Sequence, residues 1–409
     1  MQCVMPFIHM NIKPNETATA CWRCVEGLGN YTENNLEDIW YGDQWQEFRR
    51  QHLAGEKPKA CNSCWEMEEA GIKSTRLTCL EDYADQVEAL KDVEDLINPP
   101  FPRDMEFRFG NLCNMKCRHC SPKFSSQWVT QMKKDPKFYK DAKDVSGTGL
   151  NFSISQLPED TMQQLKSFAP NLNMIRITGG EPLMHPMHHE MLEVLKPYAQ
   201  NITLEYSTNL HYLNSVLEHW PLYKRVICRV SVDSDPSTYE YLREGGNLDK
   251  LVGNWNTVKT QMASNIESKQ LDLHATCTVN VLNVVKIDKV LEFWTKLGSR
   301  LHVSFVQYPK VMDICNLPNN LKDLIRERCH IGLEYTKQHA LETSSNRLLH
   351  HQTQSIEKII KWLDKPVNAE FDHTFVKWMR AQDKVNDKCL FDYYTEFDYL
   401  KDLYYENIN

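Results

Sequence analysis

Gly110-Asn111-Leu112-Cys113-Asn114-Met115-Lys116-Cys117-Arg118-His119-Cys120 is the stretch that decides how this chain reads. It follows directly on Asp104–Phe109, whose residue pattern is that of a β-strand. Three cysteines spaced C-x3-C-x2-C fall within eight residues, so one loop offers three thiolates that can wrap one side of an iron–sulfur cube. A [4Fe–4S] cube has four irons, and three protein thiolates leave one of them open to an outside ligand. Open coordination of that kind separates catalytic from structural metal sites. A structural zinc would need a fourth protein ligand, and His119, inside the run, is poorly placed to reach round.

Working outward, strand and helix signals alternate. After Asp104–Phe109, strands are expected at Met174–Thr178, Ile202–Ser207, Arg225–Val232, Leu271–Val279 and Arg300–Val306. Helices fit near Ser125–Lys134, Glu159–Phe168, His188–Ala199, Leu213–Trp220, Leu248–Ser264 and Val285–Lys296. Such alternation implies a parallel sheet with right-handed crossovers. Six units predict an α/β fold that is an open, partial version of the eight-unit barrel, a (β/α)6 partial barrel. Upstream, residues 1–80 are rich in Cys and Trp, with short helices at Asn34–Trp40 and Asp43–Ala54. An acidic helix is expected over Glu81–Ile97, and Asn98-Pro99-Pro100-Phe101-Pro102 then breaks the chain. The expected division is a module at 1–80, a helical linker at 81–102, a core at 103–310 and a helical C-terminal extension at 311–409.

Composition narrows the function. At ~150 residues per domain, 409 residues suggest two or three units. A net charge of −8 argues against a protein built mainly to coat nucleic acid or an anionic membrane. No apolar run approaches the ~18 residues of a membrane span, and Met1–Lys13 lacks the basic and apolar regions of a signal peptide. A cytoplasmic location is expected. Stable disulfides are rare there, so fourteen cysteines need another explanation.

The cysteine loop after a first strand resembles the signature of the radical S-adenosylmethionine (radical SAM) superfamily. The resemblance implies that the cofactor's methionine amine and carboxylate chelate the open iron of a [4Fe–4S] cluster held by Cys113, Cys117 and Cys120. An electron then splits a carbon–sulfur bond and yields a 5′-deoxyadenosyl radical that abstracts a substrate hydrogen. The residue before the third cysteine, here His119, commonly lies near adenine. Thr178-Gly179-Gly180-Glu181-Pro182-Leu183 is similar to the family's GGE motif. Its glycines let backbone come close to the ligand, and Glu181 with nearby carbonyls accepts from the methionine ammonium. Ser207-Thr208-Asn209 ends the third strand, where the family places polar residues, Ser207 and Asn209 here, against ribose and carboxylate. Ser231-Val232-Asp233 and Tyr241-Leu242-Arg243-Glu244-Gly245-Gly246 match a further stretch, in which Ser231 bonds a ribose hydroxyl and Arg243 holds the cofactor carboxylate. Asn280 is a weaker ribose candidate. The likeness covers Met105–Pro309, and sites at the carboxyl ends of parallel strands are the expected placement.

At the N-terminus, Cys21-x2-Cys24 and Cys61-x2-Cys64 would on spacing alone suit a tetrahedral zinc. Cys3 adds a fifth cysteine, ahead of a Pro6-Phe7-Ile8-His9 strand and a hairpin around Pro14-Asn15. With Leu36–Trp40, Phe48-Arg49, Cys61–Trp65 and Glu68–Arg76, the segment resembles the SPASM auxiliary-cluster module or its shortened relative, twitch. In the family this module usually follows the radical core; here it comes first. The resemblance implies one auxiliary [4Fe–4S] cluster on Cys3, Cys21, Cys61 and Cys64, with Cys24 spare or standing in for Cys21. Five cysteines cannot supply eight ligands, so one cluster is expected. Zinc is kept as the alternative.

Family members with such modules commonly modify peptides or proteins, so a peptide or protein substrate is expected, with an electron donor such as flavodoxin or ferredoxin. The alternative enzyme reading is dehydrogenation or rearrangement of a small metabolite, a sugar or nucleoside. A reading of another class is a non-catalytic iron–sulfur or redox-sensing protein. The intact Gly179-Gly180-Glu181 motif speaks against that, because merely holding a cluster needs no methionine clamp. Cys277 and Cys315 are thiols that could donate hydrogen, with core roles the commoner reading for each. The lysine- and aromatic-rich run Lys123–Lys143 reads as a solvated surface rather than a nucleic-acid interface, because Asp135, Pro136 and Asp141 interrupt it.

Overall fold

The computed structural model describes residues 1–14, 17–69, 71–135, 157–158, 160–213, 216–306, 309–343 and 346–406. Asn15, Pro136, Asp141, Lys143 and Glu159, which figured in the sequence reading, lie outside these. Six parallel strands form the core, as expected: β3 (Asp104–Arg108), β4 (Met174–Thr178), β5 (Thr203–Thr208), β6 (Arg225–Ser231), β7 (Leu271–Val279) and β8 (Leu301–Phe305). They run side by side in sequence order, the arrangement of a partial (β/α)6 barrel.

The N-terminal module does not stand apart from this sheet. β1 (His9–Ile12) pairs parallel with β3, matching Asn11 to Glu106, and β2 (Ala18–Thr19) returns antiparallel on β1. β1 and β2 pair as the expected hairpin does, its tip lying outside the described residues, but the strand expected at Pro6–His9 is the short helix Met5–Ile8 with β1 starting only at His9, and the pair extends one eight-stranded sheet.

Alternation along the strands explains why the barrel is open. Ile175 and Ile177, Val226, Cys228 and Val230, and Ala275, Cys277 and Val279 are fully buried and join the continuous core. Their neighbours Arg176 and Thr178, Arg229 and Ser231, and Thr276 and Thr278 are only partly buried. Parallel sheets are usually apolar on both faces. Here the second face carries these polar, partly buried side chains.

The far edge is closed by the C-terminal extension. Helix Asn346–Leu363 lies along β8, where Leu301 N–H donates to Gln352 Oε1 (3.1 Å) and Ser355 Oγ donates to Leu301 O (2.7 Å). Side chains thus satisfy part of an edge that would otherwise invite another strand. Phe305 stacks on Trp362 with centroids 4.0 Å apart.

The expected helix at Glu81–Ile97 is placed differently. Helices run over Thr75–Asp82, capped by Ser74, and Ala84–Ala89, with Tyr83 breaking out between them. Tyr83 hydroxyl bonds the Asp104 carboxylate, which also takes the Arg176 guanidinium and His9 Nδ1 (3.1 Å). Burial pushes the Asp104 carboxyl up, yet Arg176 and then His9 hold it well below the usual carboxylate range.

A carboxyl depressed in the folded state stabilises above its unfolded value of ~3.9 and loses that contribution as pH falls. Asp104→Asn leaves buried Arg176 with only its longer contact to Glu205 (3.7 Å), and a loss of ~3 kcal/mol at neutral pH is expected. Urea denaturation checks this: the variant's midpoint drops at pH 7, and the gap to wild type narrows below pH 4. Equal midpoints at pH 7 would refute it.

Candidate functional site

The cysteine loop leaves the carboxyl end of β3 and is pinned on three sides. Lys116 and Arg118 N–H donate to Glu244 O and Leu242 O (2.9 Å each), joining the loop to the segment after β6. Gly180 N–H donates to Gly110 O (2.9 Å) and Glu181 N–H to Leu112 O (2.7 Å), joining it to the turn after β4. Trp128 Nε1–H donates to Cys117 O (3.1 Å), and Ser126 Oγ accepts from Cys113 N–H (3.2 Å), joining it to helix Ser126–Lys134. Cys113, Cys117 and Cys120 form a small cluster with Met115.

Burial raises all three thiols, Cys113 to about 12, and each feels the charge of Arg243, which lowers it. Such thiols ionise only with compensation, which a metal centre supplies. His119 does not turn to them: its Nε2 lies 3.4 Å from Asp233 Oδ2. The donor set is three sulfurs with no fourth protein ligand among the described residues, which fits a cube with one open iron.

The motif residues converge here, several in roles different from those expected. Gly179 and Gly180 press on the loop itself. A Cβ on Gly180 would sit 2.2 Å from Leu112 O, and Gly179 has φ +131 with a Cβ position 2.8 Å from Gly110 O. Glu181 is buried, and its carboxylate accepts from Thr208 Oγ1–H (2.6 Å), Asn209 N–H (2.6 Å) and Leu183 N–H (3.1 Å). Burial pushes this carboxyl up while those three donors pull it down. Asn209 Nδ2–H donates to Asn114 Oδ1 (2.8 Å) on the loop, and its own Oδ1 accepts from His211 N–H (3.0 Å).

Asp233, at φ +51, holds the Arg243 guanidinium and accepts from Thr278 N–H (2.6 Å), so Arg243 is already paired. Asn280 uses its side chain as the cap of helix Val281–Val284, accepting from Leu282 N–H (3.0 Å) and donating to Thr278 O (2.9 Å). Ser207 and Ser231, by contrast, make no side-chain hydrogen bond among the described residues and stand on the polar face of the sheet. Cys277 lies on the opposite, apolar face and accepts from Asn283 Nδ2–H (3.5 Å); Cys315 is buried and accepts from Asn368 Nδ2–H (3.4 Å).

The five N-terminal cysteines also come together. Cys24 and Cys61 interact, which draws the Cys24 thiol down to about 7 and pushes the Cys61 thiol up; Cys24 Sγ–H also donates to Glu26 O (3.5 Å), and Cys61 Sγ lies 3.8 Å from His52 Nε2. Cys3 feels Cys64 and Cys24, and Cys21 feels Cys24 and Cys3, both under dominant burial that raises them. Among the described residues no three His, Cys, Asp or Glu side chains close on one point tightly enough for a single metal ion. Trp22, next to Cys21, reaches the polar face of the sheet: its ring lies edge-on to His9 at 5.7 Å, with the Arg176 guanidinium 5.3 Å from the ring centre.

Residues 107–259 match the Radical SAM superfamily, and residues 3–65 match SPASM, an iron-sulfur cluster-binding domain. The chain is a radical SAM protein with an N-terminal SPASM module. Its cofactors are [4Fe–4S] clusters and S-adenosylmethionine, so iron–sulfur replaces zinc as the reading of the N-terminal cysteines.

The radical SAM protein is 32% identical over 93 residues to a GTP 3′,8-cyclase of Hydrogenovibrio crunogenus, covering 22% of this chain and 27% of that one. Among solved structures it overlaps Streptococcus suis SuiB bound to precursor peptide SuiA at 14% identity and a TM-score of 0.38, covering 71% of this chain and 61% of that one. It overlaps anSMEcpe with bound AdoMet and Kp18Cys peptide at 12% identity and a TM-score of 0.36, covering 55% and 60%. The chain therefore spans about a quarter of that curated relative and about six tenths of both structures. Among the described residues no helix is long and apolar enough to cross a membrane.

Sequence reasoning missed Arg118 and Asp383. Arg118 is fully buried between the second and third cysteines, and its charge meets Asp383, far along the chain, at 2.7 Å. Nothing in the local pattern signals a partner that distant.

Proposed function

We propose that this protein is an enzyme that abstracts hydrogen from a peptide or protein substrate, with its reactive cluster on Cys113, Cys117 and Cys120. The observation that carries this is the set of three thiols, two buried and one half-buried, without a fourth protein donor among the described residues, at the carboxyl end of β3. When bound, the cluster with S-adenosylmethionine supplies one-electron reductive cleavage to a 5′-deoxyadenosyl radical.

The chain's own residues do the rest. The two glycine–carbonyl contacts fix the loop, Asp233 orients Arg243 toward Cys117 and Cys113, and the Ser207 and Ser231 hydroxyls offer bonds to ribose and carboxylate. Cys3, Cys61 and Cys64, with Cys21 or Cys24, would hold the auxiliary cluster, and a small redox protein such as flavodoxin or ferredoxin would supply electrons. The peptide assignment is supported by the resemblance of SPASM-bearing enzymes to one another in substrate class. It also draws on the position of the module, whose β1 widens the open sheet.

One observation favours a second reading, a small anionic metabolite. Arg108, at the end of β3, makes no ion pair among the described residues and stacks 4.8 Å from the Phe124 ring centre. Lys13, lowered to about 8 by burial and then by Arg108, and Lys123 stand near it.

Anaerobic reconstitution followed by reduction with S-adenosylmethionine tests the core claim. Wild type is expected to release 5′-deoxyadenosine, and Cys117→Ala to release none above background. No cleavage by wild type under strong reductant would sink the proposal. Deuterium transferred from a labelled peptide library into 5′-deoxyadenosine would then support the peptide reading over the metabolite.

A further inference from the structure

The extension after residue 311 carries no motif, yet it ends at the reactive loop. Asp383, on helix Asp372–Asn386, is 1% exposed and its carboxylate is held from several directions. Tyr241 hydroxyl donates to Oδ1 (2.8 Å); Tyr404 hydroxyl and Leu390 N–H donate to Oδ2 (2.8 Å each). Burial pushes this carboxyl up, and Arg118 first, then Tyr404 and Tyr241, draw it back toward the ionised form.

Arg118 is equally constrained. Its guanidinium lies 3.6 Å from the Tyr241 ring centre, Nε–H donates to Tyr241 O (2.7 Å), and NH1 sits 2.7 Å from Asp383 Oδ1. Gln382 Nε2–H donates to Arg118 O (3.1 Å), so adjacent residues of one helix grip both the side chain and the backbone of the loop. Lys388 adds a tie to Glu240 O (2.8 Å) and Glu244 (2.7 Å), on the strip that brackets the loop.

We propose that Asp383 and Arg118 form a charge pair through which the C-terminal extension sets the reduction potential of the cluster held by Cys113, Cys117 and Cys120. Arg118 sits in the loop between two of those sulfurs, in a dry environment where charge is weakly screened. Net charge and hydrogen bonding near the sulfurs tune such clusters. Asp383 neutralises Arg118, so the cluster meets a pair rather than a bare cation. Both are positioning residues and touch no substrate.

The signs follow. Reduction adds negative charge, so Asp383→Asn, which leaves Arg118 uncompensated, stabilises the reduced cluster and raises its potential. Arg118→Gln removes the cation and lowers it. The double variant returns toward wild type, and Arg118→Lys, which keeps the charge, stays close to wild type.

The experiment is a redox titration of the reconstituted full chain followed by electron paramagnetic resonance, with iron content and thermal melting alongside. The auxiliary cluster serves as an internal reference whose potential should not move. Opposite shifts in the two single variants, cancelling in the double, are the expected result. Shifts of the same sign, no shift at full iron loading, or equal shifts in Arg118→Lys and Arg118→Gln would overturn the proposal. If Asp383→Asn does not retain iron, the two Arg118 variants decide the matter alone. The inference rests on the cluster assignment above; failure of that assignment would show as the absence of this signal in wild type.

Discussion

Gly180→Ala is expected to strip iron from the Cys113–Cys120 loop while leaving the N-terminal cysteines loaded. The added Cβ would lie 2.2 Å from Leu112 O, 2.6 Å from Leu112 C and 2.8 Å from Asn111 C. All three are backbone atoms, so no rotamer change relieves the clash. The hydrogen bonds Gly180 N–H to Gly110 O and Glu181 N–H to Leu112 O hold the two segments at that distance and would have to stretch. Overpacking in a well-packed region costs ~1–3 kcal/mol when side chains can give, and contact against backbone belongs at or above the upper end. The loop is what must move, because helical and strand hydrogen bonds fix the flanks. Iron per chain should fall from about eight to about four, one cube of four irons being lost. The far-ultraviolet spectrum should persist, and 5′-deoxyadenosine release should vanish. Full iron loading with unchanged melting would show that the contact is softer than its geometry implies.

This expectation also refines what the glycines do. The pattern Gly179-Gly180-Glu181 was legible as a place where backbone approaches something closely. The sequence pattern could not tell that the something is the cysteine loop, because the contact joins residues some seventy apart. Strands were legible where period-two alternation is strong: Met174–Thr178 and Leu271–Val279 have the expected bounds. The sheet's two outer extensions were not. β1 lies next to β3 through backbone pairing and the His9–Asp104 contact across nearly a hundred residues, and a four-residue strand carries little pattern of its own.

The same reasoning covers the side chains. Cysteine spacing survives in sequence because a cluster's ligands crowd one loop. Asp383 finds Arg118 by tertiary folding, and its helix has no local feature to announce the partner. Asn209 and Asn280 were read as ligand contacts from their strand-end positions. In the structure Asn209 braces Asn114 on the cysteine loop and accepts from His211 N–H, while Asn280 caps a helix, the local backbone bond that short polar side chains at strand ends commonly make.

Glu181 is the residue for which the two readings make different predictions. A direct contact to the cofactor ammonium predicts that Glu181→Gln weakens S-adenosylmethionine binding without disturbing the fold. The structure predicts both effects together. A glutamine oxygen can still accept from Thr208 and Leu183, but its NH2 then faces Asn209 N–H, placing two donors against each other in a buried site. An unsatisfied buried donor costs ~1–3 kcal/mol, and losing a charge-assisted bond adds to it, for ~2–4 kcal/mol in all. Asn209 would swing away from Asn114, and the cysteine loop would lose one brace. Thr208→Val removes one donor to Oε1 and the acceptor of Leu210 N–H (2.9 Å) while leaving the Asn209 bond to Oε2, and should cost ~2–3 kcal/mol with little change in cofactor affinity. Denaturation and calorimetric titration of S-adenosylmethionine on the unreduced, reconstituted protein separate the cases. Weaker binding in Glu181→Gln with undiminished stability would establish direct contact. Lowered stability with at least a ~10-fold weaker affinity (~1.4 kcal/mol) would identify Glu181 as the clamp between the ends of β4 and β5, on which the cofactor's seat depends.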